Sequence, residues 1–182
     1  KVPVILCRFF NTVGPRQTGR YGMVLPRFAA QALRNQPLTV YGTGEQSRCF
    51  GHVRDAVEAV GRLIQTPAAF GQVFNVGENS QNYRVREIAG IVGEVFPGCE
   101  VTFGSDAADN RSYRVSFDKI HRHLPDFRCA WDARAGAVQL RKLFERIAMP
   151  REVFEFRAFT RLKQIHHLLE TGQIDARYFW QA

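Results

Sequence analysis

The chain opens on an apolar, β-prone run, Val2 to Phe10, which Gly14-Pro15 brings to a stop. The pattern predicts one buried strand with Asn11 and Arg16 at its carboxyl end. A loop rich in Gly and Arg follows from Arg16 to Gly22. Helical spacing then begins: Val24, Phe28, Ala32 and Leu33 share one face of a helix over Met23–Arg34. Leu38-Thr39-Val40-Tyr41 reads as a short strand closed by Gly42-Thr43-Gly44, and Arg48 to Val53 as another. The next helix runs from Asp55, taken as its N-cap, to about Thr66, with Val57, Val60, Leu63 and Ile64 expected inward. Gln72–Val76 is an apolar strand ended by Gly77. Val85–Phe96 is a helix ended by Pro97-Gly98, and Glu100–Phe103 is a strand. Ser116 is placed to cap a short helix to His123, Asp132 a longer one to about Met149, and Phe156–Thr171 is the last helix. Strands alternating with helices indicate α/β units. Pro150 to Phe154 is the expected break before a helical appendage. A buried parallel strand needs neighbours on both sides, so the opening run makes the sequence read as the second half of a larger unit.

Composition narrows the class. With 182 residues, 45% hydrophobic content and 15 Phe, the chain is globular and can hold a sizeable core. A net charge of +8 favours anionic partners. The Arg residues are scattered rather than run together, which weighs against a nucleic-acid footprint. Cys7, Cys49, Cys99 and Cys129 stand far apart with no C-x-x-C spacing, so neither zinc nor a disulfide framework is expected. No apolar run of about 18 residues and no secretory leader pattern occurs, and a cytoplasmic, non-membrane setting is expected.

Chemistry-bearing residues gather at two strand ends. Asn11 can donate and accept at once, which suits a sugar hydroxyl or a phosphate oxygen, or equally a backbone cap. Tyr41, Gln46 and Arg48 flank a Gly-rich turn: Arg offers a planar fork matched to phosphate oxygens, Tyr a flat face for a nucleobase, and Gly a close backbone approach. The other reading is a hairpin with an aromatic core residue and a surface Arg, and spacing alone favours it. Arg111 is a second candidate phosphate ligand or a solvated loop residue. Two guanidinium groups on one diphosphate contribute about 1.5–3 kcal/mol each. The five His residues show no metal or triad spacing, and no metal site or catalytic residue is expected.

Three stretches taken together, in order and spacing, resemble a known family. They are Arg8-Phe9-Phe10-Asn11-Thr12-Val13-Gly14-Pro15-Arg16, Pro37-Leu38-Thr39-Val40-Tyr41-Gly42, and Gln46-Ser47-Arg48-Cys49-Phe50 with Val53-Arg54-Asp55. They look like the NAD-dependent nucleotide-sugar epimerase/dehydratase family, the extended short-chain dehydrogenases, which takes in UDP-glucose 4-epimerases and UDP-glucuronate decarboxylases. The likeness covers about residues 3–125. It implies an α/β fold made of the last Rossmann strands and a smaller substrate-binding α/β domain. On that reading residues 1–22 and 50–79 are the Rossmann remnant, and residues 23–49 and 80–182 the substrate domain with its C-terminal helices. It further implies that Phe9 faces the nicotinamide of NAD and Asn11 meets the sugar diphosphate. The backbone around Val24, with Tyr41, borders the nucleobase beside Gln46, and Arg48 and Arg111 clamp the diphosphate.

Two family motifs are absent from these residues. Neither G-x-x-G-x-x-G nor G-x-G-x-x-G occurs, and none of Tyr21, Tyr41, Tyr83, Tyr113 or Tyr178 has Lys four residues on. The first would place the cofactor pyrophosphate on a helix N-terminus; the second would supply the proton-transfer base. The expectation is a nucleotide-diphosphate-sugar binding portion that does not turn over by itself. Its expected partner is a second copy or the N-terminal half of the enzyme. The alternative is a non-catalytic binding or assembly module of the same descent.

Overall fold

The computed structural model describes residues 2–15, 17, 24–104, 111–148, 156–157 and 161–181. The expectations for Arg16 and Met23, and for a break at Pro150–Phe154, lie outside the described residues. The contacts divide the chain into two compact units, residues 1–144 and 145–182.

Among the described residues of the first unit, eight short strands pair two by two, mostly in parallel. β1 (Leu6–Arg8) lies parallel to β6 (Val73–Asn75), with Cys7 opposite Phe74. β2 (Thr12–Val13) lies parallel to β5 (Gly51–His52). β3 (Leu38–Tyr41) lies parallel to β8 (Val101–Gly104), and β4 (Ser47–Cys49) antiparallel to β7 (Asn82–Arg84). Between them run α1 (Val24–Leu33), α2 (Val53–Leu63), α3 (Val85–Val95), α4 (Asp118–His123) and α5 (Ala133–Ile147). Parallel pairs joined through helices make this the expected mixed α/β class.

Two cores hold it. One joins Leu25, Phe28 and Ala29 of α1 to Leu38 and Val40, to Ile88, Ala89 and Val92 of α3, and to Ala137 and Leu140 of α5. The other joins Ala59 and Leu63 of α2 to Phe74 and Val76, and to Phe117, Ile120, Leu124 and Phe127 around α4. Gly77 (φ +156°) belongs to the second: a Cβ there would stand 2.6 Å from a Phe117 ring carbon.

Several expectations change. The run Val2–Phe10 is not one buried strand. Only Leu6–Arg8 pairs, and β6 is its one ladder neighbour among the described residues. Alternation turns Ile5 and Cys7 toward the second core and leaves Val4 and Leu6 more than half exposed. The expected strand Arg48–Val53 is two strands, because the chain changes partner at Phe50, whose amide donates to the Gln81 carbonyl at 2.9 Å. On α2 the inward residues are Asp55, Ala59 and Leu63; Val57 and Ile64 face out, since this helix carries an apolar stripe on each side. Asp55 is not the cap. His52 is, its Nδ1 accepting the Arg54 amide at 3.2 Å. Asp132 does cap α5, accepting the Ala135 amide at 2.7 Å.

In the second unit α6 (Arg161–Glu170) turns through Gly172 into a small hairpin bridged between Ile174 and Trp180. Asp175 organises its tip, accepting the amides of Arg177 and Phe179 at 2.8 and 3.0 Å. The helix starts later than the expected Phe156, which lies outside it.

Gly77→Ala is expected to lower the unfolding free energy by about 2 kcal/mol, as overpacking against a buried ring costs roughly 1–3. The denaturant midpoint measures this; an unmoved midpoint would mean the Phe117 ring yields without cost.

Candidate functional site

Asn11 follows β1 with φ +33°, a left-handed conformation that Asn tolerates better than most residues. From there its Nδ2 spends both hydrogens, donating to the Cys49 carbonyl at 2.7 Å and to the Tyr113 hydroxyl at 3.0 Å. One end of β1 is thereby tied to β4 and to the loop at 111–113.

Arg48 sits in the middle of β4, half-buried. Its Nη1 donates to the Ser47 carbonyl at 2.9 Å and to the Arg111 carbonyl, and its guanidinium lies 5.2 Å from the centre of the Tyr113 ring. The loop is fixed to the same strand by backbone: the Ser47 amide donates to Ser112 Oγ at 3.0 Å, and the Tyr113 amide to the Ser47 carbonyl at 3.2 Å. Arg48 and Arg111 therefore share one patch of surface with Asn11 and Tyr113.

Tyr41 ends β3. Strand alternation buries Leu38 and Val40 and leaves Tyr41 40% exposed, which removes the reading of it as a core aromatic. Beneath it Arg27 of α1 stacks 4.5 Å from the ring centre while donating to the Thr39 carbonyl at 2.9 Å. Burial pushes the Arg27 guanidinium below its ordinary pKa, and the nearby Tyr41 hydroxyl counters it. Gln46 Nε2 donates to the Tyr41 carbonyl at 3.3 Å, linking this ring to the residue before Ser47. Val24 opens α1, half-buried against the first core. The turn between β3 and β4 does not need its second Gly for a ligand: a Cβ on Gly44 (φ +70°) would stand 2.9 Å from Cβ of Arg86, so packing on α3 demands it. Glu45 braces the same contact through ion pairs with Arg84 and Arg86.

Phe9, half exposed, lines a cleft with Phe10, Thr12, Gly51, Val76 and Gly77 at the ends of β1 and β6. Under it lie two ionisable groups that the sequence left without partners. His52 is 2% exposed; its Nε2 meets Gln139 Oε1 at 2.9 Å and its ring stacks on Trp131 at 4.3 Å. Because Nδ1 accepts the Arg54 amide, the proton resides on Nε2 and goes to Gln139. Burial pulls the His52 pKa below the ordinary imidazole value. Asp55 accepts the amides of Ala130 and Trp131 at 3.0 and 3.2 Å; burial pushes its pKa up, against the pull of those amides and of His52.

Tyr113 and Arg27 are the site residues that the sequence reading missed. Tyr113 meets Asn11 across 102 positions, and no local period announces such a contact. Among the described residues no cluster of His, Cys, Asp and Glu is placed to hold a metal, and no helix is long and apolar enough to cross a membrane.

The model of the NAD dependent epimerase/dehydratase family matches residues 1–77. UDP-glucuronic acid decarboxylase 1 of Arabidopsis thaliana is 33% identical over 162 residues, covering 86% of this chain and 33% of the relative. Among solved structures, epimerase Mth375 of Methanothermobacter thermautotrophicus is 30% identical with a TM-score of 0.68, over 80% of this chain and 44% of its own. UDP-glucuronic acid 4-epimerase of Bacillus cereus, solved with UDP-glucuronic acid and NAD, has a TM-score of 0.64 at 21% identity, over 78% of this chain and 46% of its own, and shows the fold alone. The chain thus spans about a third of that curated relative and just under half of these solved structures.

The buried imidazole sets a pH dependence. The unfolded chain takes up a proton at His52 near pH 6.5, whereas the folded chain takes it only at lower pH, so stability is full above about pH 6.5 and falls as the solution is acidified. Asp55 has the opposite sign, its folded form binding the proton first, at a lower pH window. The melting temperature is expected to drop between about pH 8 and pH 5.5. His52→Asn, which keeps a capping acceptor, should flatten that drop; parallel slopes in the two proteins would locate the effect elsewhere.

Proposed function

Because the chain belongs to the NAD-dependent epimerase/dehydratase family, we propose that these residues form the nucleotide-diphosphate-sugar binding portion of such an enzyme. In this reading Arg48 and Arg111 meet the diphosphate, and Asn11 reaches the sugar side of it. The exposed face of Tyr41 receives the nucleobase beside Gln46 and the backbone at Val24. The supporting observation is the Arg48 guanidinium itself. It bonds the Arg111 carbonyl and lies on Tyr113, whose hydroxyl takes an Asn11 hydrogen, so three stretches distant in sequence converge on one cationic patch. A guanidinium fork held in place by such contacts suits an anion with several oxygens. The name of the Arabidopsis relative, UDP-glucuronic acid decarboxylase 1, supports uracil as the first base to test.

NAD supplies hydride chemistry in this family. The resemblance would set the nicotinamide against Phe9, at the cleft that Phe9 lines with Phe10, Thr12 and Gly51. The 182 residues hold no glycine fingerprint for the pyrophosphate and no Tyr-x-x-x-Lys. They therefore suit one end of the cofactor only, and no proton transfer is assigned to a residue here. The chain alone binds substrate without turning it over, in a cytoplasmic setting consistent with its four free cysteines.

A second reading is an assembly module. The exposed Val4 and Leu6 at the start of β1, and Val57 and Ile64 on and just after α2, favour it as apolar surface that a second copy or the N-terminal half of the enzyme covers.

Titration calorimetry with UDP tests the first reading. We expect binding by the wild-type chain, about tenfold or more weaker in Arg48→Ala, since a hydrogen bond to a charged group contributes roughly 1.5–3 kcal/mol. NAD alone should leave the melting temperature unchanged. A wild type that ignores UDP at millimolar concentration would rule the reading out.

A further inference from the structure

We propose that Tyr113 is itself a ligand-binding residue of this site, its hydroxyl donating a proton to a phosphate oxygen of the nucleoside diphosphate. The inference rests on the preceding reading that the site takes such a ligand, and names a group that reading did not use.

A phenol has one proton to give and lone pairs to receive with. Tyr113 Oη receives from Asn11 Nδ2 at 3.0 Å. Asn11 has its other amide hydrogen on the Cys49 carbonyl, so its amide is oriented and can only donate toward the phenol. The phenol proton is thus left to give, and among the described residues no acceptor takes it. Tyr113 is 39% exposed and the Asn11–hydroxyl bond lies at the surface, open to an incoming ligand.

The position of the ring does not depend on that ligand. The Tyr113 amide is held by the Ser47 carbonyl, and the neighbouring Ser112 hydroxyl by the Ser47 amide, which fastens residues 112–113 to the edge of β4. The face of the ring lies against the Arg48 guanidinium at 5.2 Å. A cation and a hydroxyl donor stand side by side, each braced by backbone. An anionic oxygen arriving at Arg48 finds the phenol already in place, with little conformational freedom left to lose. Hydroxyl-to-anion bonds are among the shortest and strongest that a neutral side chain makes. The serine hydroxyl next door accepts the Ser47 amide, which holds its oxygen against the strand backbone, whereas the phenol oxygen stands beside the guanidinium.

Equilibrium binding of UDP and of uridine to the wild-type chain and to Tyr113→Phe tests this. Phe keeps the ring under Arg48 and removes only the hydroxyl. UDP affinity should fall about tenfold while uridine affinity stays the same, because only UDP carries the diphosphate. The melting temperature of Tyr113→Phe, expected within a few degrees of wild type, together with its unchanged uridine affinity, guards against a fold defect in that variant. Equal UDP binding by wild type and Tyr113→Phe would overturn the inference and leave the site reading intact. Parallel losses for UDP and uridine would also overturn it, because the ring would then be packing and nothing more. Absence of UDP binding by the wild type would take down the site reading, and this inference with it.

Discussion

The change of partner at Phe50 is the constraint on which the first unit hangs. Residues 47–52 pair antiparallel with β7, then shift at one residue to pair in parallel with β2. Successive side chains of an extended chain face opposite ways, and here they enter different cores: Cys49 packs in the second, Phe50 in the first. One six-residue stretch therefore stitches both apolar clusters together. Its polar members have their positions dictated by that stitching. Arg48 is flanked by the buried pair Ser47 and Cys49, so its backbone is set before any ligand contact is considered. His52, at the far end, becomes the cap of α2 for the same reason.

Elements whose periodicity is unambiguous were legible in the sequence. α1, β3, α3 and β8 lie close to where their spacing predicts, because each has one apolar face and one core to meet. α2 misled because Ala59 and Leu63 on one stripe and Val57 and Ile64 on another both fit a period of 3.6, and apolarity alone does not rank them. β2 and β7 were missed for a different reason. Two or three residues such as Thr-Val or Asn-Tyr-Arg carry no pattern, and their strand character comes from the neighbour they pair with. At the site, Asn11, Arg48 and Arg111 could be singled out from ordered motifs. Tyr113 and Arg27 could not, since their roles are made by cross-chain contacts with Asn11, Arg48 and Tyr41.

Part of the positive charge is paired locally with acids. Arg62 pairs with Glu58 along α2, Arg84 and Arg86 share Glu45, and Arg134 meets Glu94. These exposed pairs contribute little each, roughly 0–1 kcal/mol, and their effect is to leave fewer cations available to a passing polyanion. Arg27 and Arg48 differ in kind. Each lies against a tyrosine ring and is hydrogen-bonded to a backbone carbonyl, so its direction is fixed as well as its charge.

Asn11 carries a double duty. Its backbone occupies a region that most side chains enter only under strain, and its amide is the clasp between β1, β4 and the loop at Tyr113. Glycine would relieve the first demand and lose the second; glutamine would approximate the second and suffer the first. The backbone turn and the cross-chain clasp thus fall on the same few atoms. Neither demand can be relaxed by substitution without giving up the other.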